Sequence, residues 1–68
     1  MNSRIALAEA VLKAYCRLKG EPFDSFETGI TDLITDLMHL AHKEDLDGVV
    51  LSGMAMLHFE AEKQGLHN

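Results

Sequence analysis

Apolar and polar residues recur with a helical period along much of the chain, and most clearly in residues 30–43. Ile-Thr-Asp-Leu occurs twice in succession there, so apolar residues return every three or four positions. On a helix this spacing forms one stripe along a single face. The stripe consists of Ile30, Leu33, Ile34, Leu37, Leu40 and Ala41. We therefore predict an amphipathic helix with a wide apolar face, and with Asp32, Asp36 and His39 on the opposite side.

Capping and turn signals divide the chain into three predicted helices, at about residues 3–19, 24–43 and 48–64. Gly20, followed by Pro22, ends the first helix. The second starts at Asp24 or Ser25, and Asp24 and Glu27 have the spacing of a capping box there. Asp47 is a good N-cap for the third. Because the connections are short, consecutive helices are expected to be antiparallel. We predict an all-α fold, with the whole chain forming one domain, an up-down-up bundle of three helices.

In such a bundle the apolar stripes of the helices face inward and form the core. The predicted core is Ile5, Ala8, Val11, Leu12, Tyr15, Phe26, Ile30, Leu33, Ile34, Leu37, Leu40, Ala41, Leu46, Val50, Met54, Leu57 and Ala61. A chain this short buries only about 60% of the surface of its unfolded form, so a monomer held together by this core alone is marginally stable.

The third helix is apolar on two faces. Val50, Met54 and Leu57 fall within one narrow sector that suits core contacts. The other apolar residues, Val49, Met56 and Phe59, project from roughly the opposite side. A helix with two apolar faces is normally buried on both, and one short chain has too few elements to cover the second. We therefore predict a two-fold homodimer with Val49, Met56 and Phe59 in its interface; the alternative is a monomer that leaves them partly exposed.

The net charge of −5 is unevenly distributed. The first 20 residues contain one acid, Glu9, and four basic residues, Arg4, Lys13, Arg17 and Lys19. The simplest interpretation is a basic first helix beside acidic later ones, and the alternative is a basic patch for an anionic partner. Four basic charges are a weak signal for nucleic acid, and the third helix offers only Lys63 beside two glutamates. Nucleic acid is therefore not an expected partner.

The composition also indicates the cellular compartment. Cys16 is the single cysteine, which excludes an intrachain disulfide and fits a reducing compartment. No apolar run reaches the ~20 residues that a membrane span needs. We therefore expect a cytoplasmic protein with no membrane contact.

A metal site is the chemical alternative. Asp32, Asp36 and His39 follow one another at i, i+4 and i+7, and together with His58 they are oxygen and nitrogen ligands suited to Zn²⁺ or Mn²⁺. However, the first three point away from the apolar stripe, so a solvated and charge-paired face is the preferred interpretation. Asp36 is then expected to pair with Lys43 or with a base of the first helix. No phosphate-binding glycine loop or nucleophile elbow is present, and no cofactor is expected. The preferred interpretation is a non-catalytic protein, and the alternative is a metal-binding protein or a metal-dependent enzyme that uses Asp32, Asp36, His39 and His58.

One set of spacings resembles a group of short bacterial helical proteins to which no activity is assigned. The shared pattern is Asp-Leu-x-x-Asp-Leu-x-His-x-Ala, a Leu-Asp turn, and His-Phe-x-x-Glu. In this chain the matching residues are Asp32, Leu33, Asp36, Leu37, His39, Ala41, Leu46, Asp47, Ala55, His58, Phe59 and Glu62. Where the relatives tend to have glycine before the Leu-Asp turn, this chain has Glu44 and Asp45. Such proteins often accompany phage or plasmid elements, so the resemblance implies a non-catalytic interaction protein, such as a mobile-element accessory or inhibitor protein.

Overall fold

The computed structural model describes residues 3–65, in which every regular element is an α-helix. Helix α1 spans Ser3–Lys19, α2 spans Phe26–Lys43 and α3 spans Gly48–Gly65. The prediction of an all-α chain with three helices is therefore confirmed. Within the described residues, no helix is long and apolar enough to cross a membrane.

Gly20 ends α1, as the sequence predicts. Its φ of 76° lies in the left-handed region, which glycine adopts without a steric penalty. The N–H of Gly20 donates to the carbonyl of Arg17 at 3.0 Å, and the N–H of Glu21 donates to the carbonyl of Cys16 at 3.2 Å. These two bonds form a Schellman motif, which satisfies carbonyls that the end of the helix would otherwise leave unpaired.

The start of α2 follows the second of the two predicted caps. The helix begins at Phe26, because the capping oxygen belongs to Ser25 and not to Asp24. The Ser25 hydroxyl oxygen accepts a hydrogen bond from the N–H of Thr28 at 3.1 Å. A serine at this position satisfies one of the first amides of the helix, so the predicted box between Asp24 and Glu27 is not the cap.

The connection between α2 and α3 is a tight turn fixed by two aspartates. Asp45 has a φ of 64°, and the N–H of Leu46 donates to the carbonyl of Ala41 at 2.8 Å. This is again a Schellman ending, with aspartate where glycine is usual. The Asp47 carboxylate then accepts hydrogen bonds from the N–H groups of Val49 at 3.0 Å and Val50 at 3.2 Å. Asp47 is therefore the N-cap of α3, as predicted.

The chain divides into two compact units, Met1–Asp36 and Leu37–Asn68. In the first, Leu12 of α1 is buried and packs against Gly29 of α2. A Cβ added at Gly29 would lie 3.2 Å from Leu12 Cδ1, so glycine allows this close approach. In the second, Gly48 lies against Met38, and an added Cβ would be 3.2 Å from Met38 Cβ.

The extent of the predicted core was wrong. Among the described residues, the buried apolar side chains are Leu12 and Ala41. Most of the other predicted core residues are exposed, including Ile5, Val11, Phe26, Ile30, Ile34, Leu37, Leu40, Leu46, Val50, Met54 and Leu57. The physical reason is that a helix covers only a narrow strip of its neighbour's surface. An apolar stripe about 100° wide extends beyond that strip, so its outer side chains stay exposed.

Candidate interaction surfaces

The two apolar faces of α3 are both accessible. Val49, Met56 and Phe59, the predicted interface residues, are 71%, 59% and 57% exposed. The opposite sector, expected to be core, is exposed as well. Lys63 partly covers the Phe59 ring, with its Nζ 5.1 Å from the ring centroid. These side chains are therefore available to a partner, although whether they form a dimer interface stays a prediction.

A second apolar surface lies on α1, and the sequence reasoning did not identify it. Leu7 is 66% exposed and Leu18 is 89% exposed, while Val11 between them is also exposed. The predicted core included Val11 and omitted Leu7 and Leu18. The available signal was the spacing of Leu7, Val11, Ala14 and Leu18, which alternates four and three residues as in a coiled-coil seam. We call these four residues the α1 stripe.

Polar residues of α1 and α2 form a cluster in the first unit. The Tyr15 hydroxyl donates a hydrogen bond to the Asp36 carboxylate at 2.5 Å. Lys19 Nζ lies 3.3 Å from Glu21 Oε1 and 3.6 Å from Asp32 Oδ2, and 4.9 Å from the centroid of the Tyr15 ring. The predicted charge-paired face is thus present at Asp32. The partner of Asp36, however, is Tyr15 rather than a base, and Lys43 pairs with Glu44 instead.

These contacts shift two pKa values. The hydrogen bond to the Asp36 carboxylate raises the pKa of Tyr15 above its usual 10.0, and loss of hydration raises it further. The pKa of Lys19 is also raised, first by its contact with the Tyr15 phenol and then by the Glu21 carboxylate. Both pKa values rise because neighbouring groups stabilise the protonated form of the side chain, and neither shift brings a pKa towards neutrality.

A metal site at Asp32, Asp36, His39 and His58 stays a prediction. Within residues 3–65, no group of three or more His, Cys, Asp or Glu side chains is placed to hold a metal ion. Asp32 is engaged by Lys19 and Asp36 by Tyr15, while His39 and His58 are exposed. The metal hypothesis therefore gains no support from the arrangement of these residues.

Two surface cavities accompany the helix ends. One of about 340 Å³ is lined by Tyr15, Cys16, Lys19, Glu21, Pro22, Asp24, Thr28, Gly29 and Asp32. The other, of about 410 Å³, lies at the turn before α3 and is lined by Met38, His42, Asp45, Leu46, Asp47, Gly48 and Val49. In the first lining, the ammonium of Lys19 is already paired with two carboxylates, and no histidine lies beside the Cys16 thiol. The exposed apolar surfaces are therefore the stronger candidate sites.

Comparisons with known proteins found no relative of this chain. A scan against protein-family models found no match, and neither did searches of the curated proteins and of the solved structures. The resemblance to short bacterial helical proteins therefore stays a prediction, and the function must be inferred from the chain's own surfaces.

Proposed function

We propose that this protein is a non-catalytic interaction protein that works as a homodimer, with Val49, Met56 and Phe59 of α3 in the interface. The observation that carries the proposal is the exposure of large apolar side chains along all three helices, against so few that are buried. Large exposed apolar patches mark protein interaction sites or membrane sites. A partner surface would remove this apolar area from water.

The exposed side chains of α3 support a second copy as the occupant. Val49, Met56 and Phe59 are each more than half exposed. In a two-fold dimer one such patch meets the same patch of the other copy, so both are removed from water at once. As part of the proposal, the up-down-up bundle is completed by the second copy, which covers faces that one chain leaves in water.

The biological setting of the proposal comes from the sequence. The resemblance to proteins that accompany phage and plasmid elements supports an accessory or inhibitor role exercised through protein contacts. The single cysteine supports action in the cytoplasm, where thiols stay reduced. Recovery of a stoichiometric host protein with the dimer would support this setting, and recovery of none would count against it.

The dimer is tested by sedimentation velocity at micromolar concentration. Phe59→Glu places a charge where the proposal requires an apolar contact, and we expect the dimer to dissociate. Gln64→Glu is the matched control, because it adds the same charge to an exposed position of α3 about 140° around the helix. We expect this control to sediment as the wild type does.

Two results would remove the proposal. One is a wild-type chain that sediments as a monomer throughout the micromolar range. The other is a Phe59→Glu chain that keeps the wild-type mass, because the dimer would then use another surface. Far-ultraviolet circular dichroism of each variant verifies that the helices are retained.

A further inference from the structure

Gly53 lies in the middle of α3, and no contact within its own chain explains it. Gly20 has a positive φ, and at Gly29 and Gly48 an added Cβ would lie 3.2 Å from a side chain of another helix. Gly53 is helical, its φ is not positive, and an added Cβ there would meet no packing neighbour within 4 Å among the described residues. The surroundings of Gly53 would therefore accept alanine.

Glycine at this position is costly for the chain by itself. It loses more backbone freedom on folding than alanine does, so a glycine inside a helix destabilises that helix. Such a glycine usually has a packing reason, because the missing side chain allows another backbone to approach. Gly29 and Gly48 have this reason inside the chain, at Leu12 and Met38. At Gly53 the same reason points to a neighbour outside the chain.

Gly53 also lies on the apolar face that the proposed dimer uses. It follows Val49 by four residues and precedes Met56 by three, so the three fall within an arc of about 60° on α3, at about 100° per residue. Val49 is 71% exposed and Met56 is 59% exposed, and Phe59 borders the arc about 60° beyond Met56. The glycine is thus a gap between two exposed apolar side chains, one helical turn from each.

We propose that Gly53 is the point of closest approach between the α3 helices of two copies of this chain. The inference rests on the proposed homodimer and names a contact within it that the sequence analysis did not identify. Without a side chain at Gly53, the two helix axes can lie at or below the short end of the usual range of about 8–10 Å. Val49 and Met56, on either side of the gap, then pack against the other copy. In a two-fold interface both copies bring Gly53 to the same contact, so one substitution acts twice.

The substitution Gly53→Ala separates folding from association, because its two effects have opposite signs. In a Phe59→Glu background, which removes the proposed dimer, alanine should move the midpoint of urea unfolding upward through its helix propensity. In the otherwise unchanged chain, the added methyl groups crowd the closest contact. We expect sedimentation velocity to show a dimer dissociation constant at least about tenfold weaker. The larger Gly53→Leu should leave only monomer in the micromolar range.

Ala61→Leu is the matched control for added volume. Ala61 is exposed on α3, about 140° around the helix from Met56, so a leucine there lies outside the proposed contact. This variant should keep the wild-type dissociation constant, and circular dichroism verifies that every variant is helical. A second readout comes from a dimer of isotope-labelled and unlabelled chains. The Hα protons of Gly53 should show contacts to α3 of the other copy, because no side chain separates the two backbones.

The possible failures are distinguishable. A wild-type chain that is monomeric removes the homodimer and this inference together. A wild-type dimer that Phe59→Glu dissociates, but that both Gly53 variants leave at the wild-type dissociation constant, overturns this inference alone. Contacts from Gly53 to the α1 stripe of the other copy, instead of to α3, would also overturn it. So would a Gly53→Ala substitution that lowers the urea midpoint in the Phe59→Glu background, because the glycine would then serve its own chain.

Discussion

Leu12 gives the sharpest test of what holds α1 on α2. It is 4% exposed, whereas Leu18 on the same helix is 89% exposed. Replacing a buried leucine by alanine costs about 2–5 kcal/mol, and the low end applies here because a seam between two helices relaxes readily. We expect Leu12→Ala to lower the free energy of unfolding by about 2–3 kcal/mol. Leu18→Ala, the same chemical change, should alter it by no more than about 0.5 kcal/mol.

Urea unfolding followed by circular dichroism measures both variants, at one protein concentration so that any effect of dimerisation is shared. Gly29 provides an internal check, because a Cβ there would crowd Leu12. Gly29→Ala gains about 1 kcal/mol of helix propensity, and Leu12→Ala removes the crowding. Gly29→Ala should therefore stabilise the Leu12→Ala chain more than the wild type. Equal losses from the two leucine substitutions would refute this description of the seam.

Three further predictions concern Tyr15 and the turn before α3. The absorbance of Tyr15, the single tyrosine, should titrate with a pKa above 10.0 and move down in Asp36→Asn. Because folding raises the pKa of Tyr15, the hydrogen bond to Asp36 contributes stability below pH 10, and this contribution is lost as the pH rises through the pKa of the folded chain. An unchanged midpoint of the Tyr15 titration in Asp36→Asn would contradict the pairing. Asp45→Gly should raise the free energy of unfolding by about 0.5–1 kcal/mol in urea titrations, because φ is positive there, and a loss would count against the turn. Asp47→Ala should lower it by about 0.5–2 kcal/mol, and Asp47→Ser should restore most of the loss; equal stability of all three chains would exclude capping.

Local features of the fold were predictable from the sequence. Gly20 and Asp47 mark helix ends because their roles depend on a few neighbouring backbone groups. The close packing at Gly29 was predictable in the same way, since a mid-helix glycine is costly unless another helix approaches it. The cap of α2 was left open between Asp24 and Ser25, because both are good capping residues and the sequence alone does not choose between them.

The burial of apolar side chains and the polar cluster around Tyr15 were less predictable from the sequence. Periodicity identifies an apolar stripe but not the part of it that another helix covers, and this depends on how α1 is rotated against α2. The same rotation brings Tyr15 to Asp36 across 21 residues, a pairing that no local pattern encodes. It also turns Leu7 and Leu18 away from the seam. The sequence therefore indicated that apolar surface would remain uncovered, but it located this surface on α3 alone.

The central claim is that a second copy covers the exposed face of α3. The most direct measurement is an isotope-filtered NMR experiment on a mixture of labelled and unlabelled chains, which detects contacts between copies only. We predict intermolecular contacts from the Met56 methyl group and the Phe59 ring to protons of the other copy. The absence of any intermolecular contact, or contacts confined to Leu7 and Leu18 of α1, would contradict the claim.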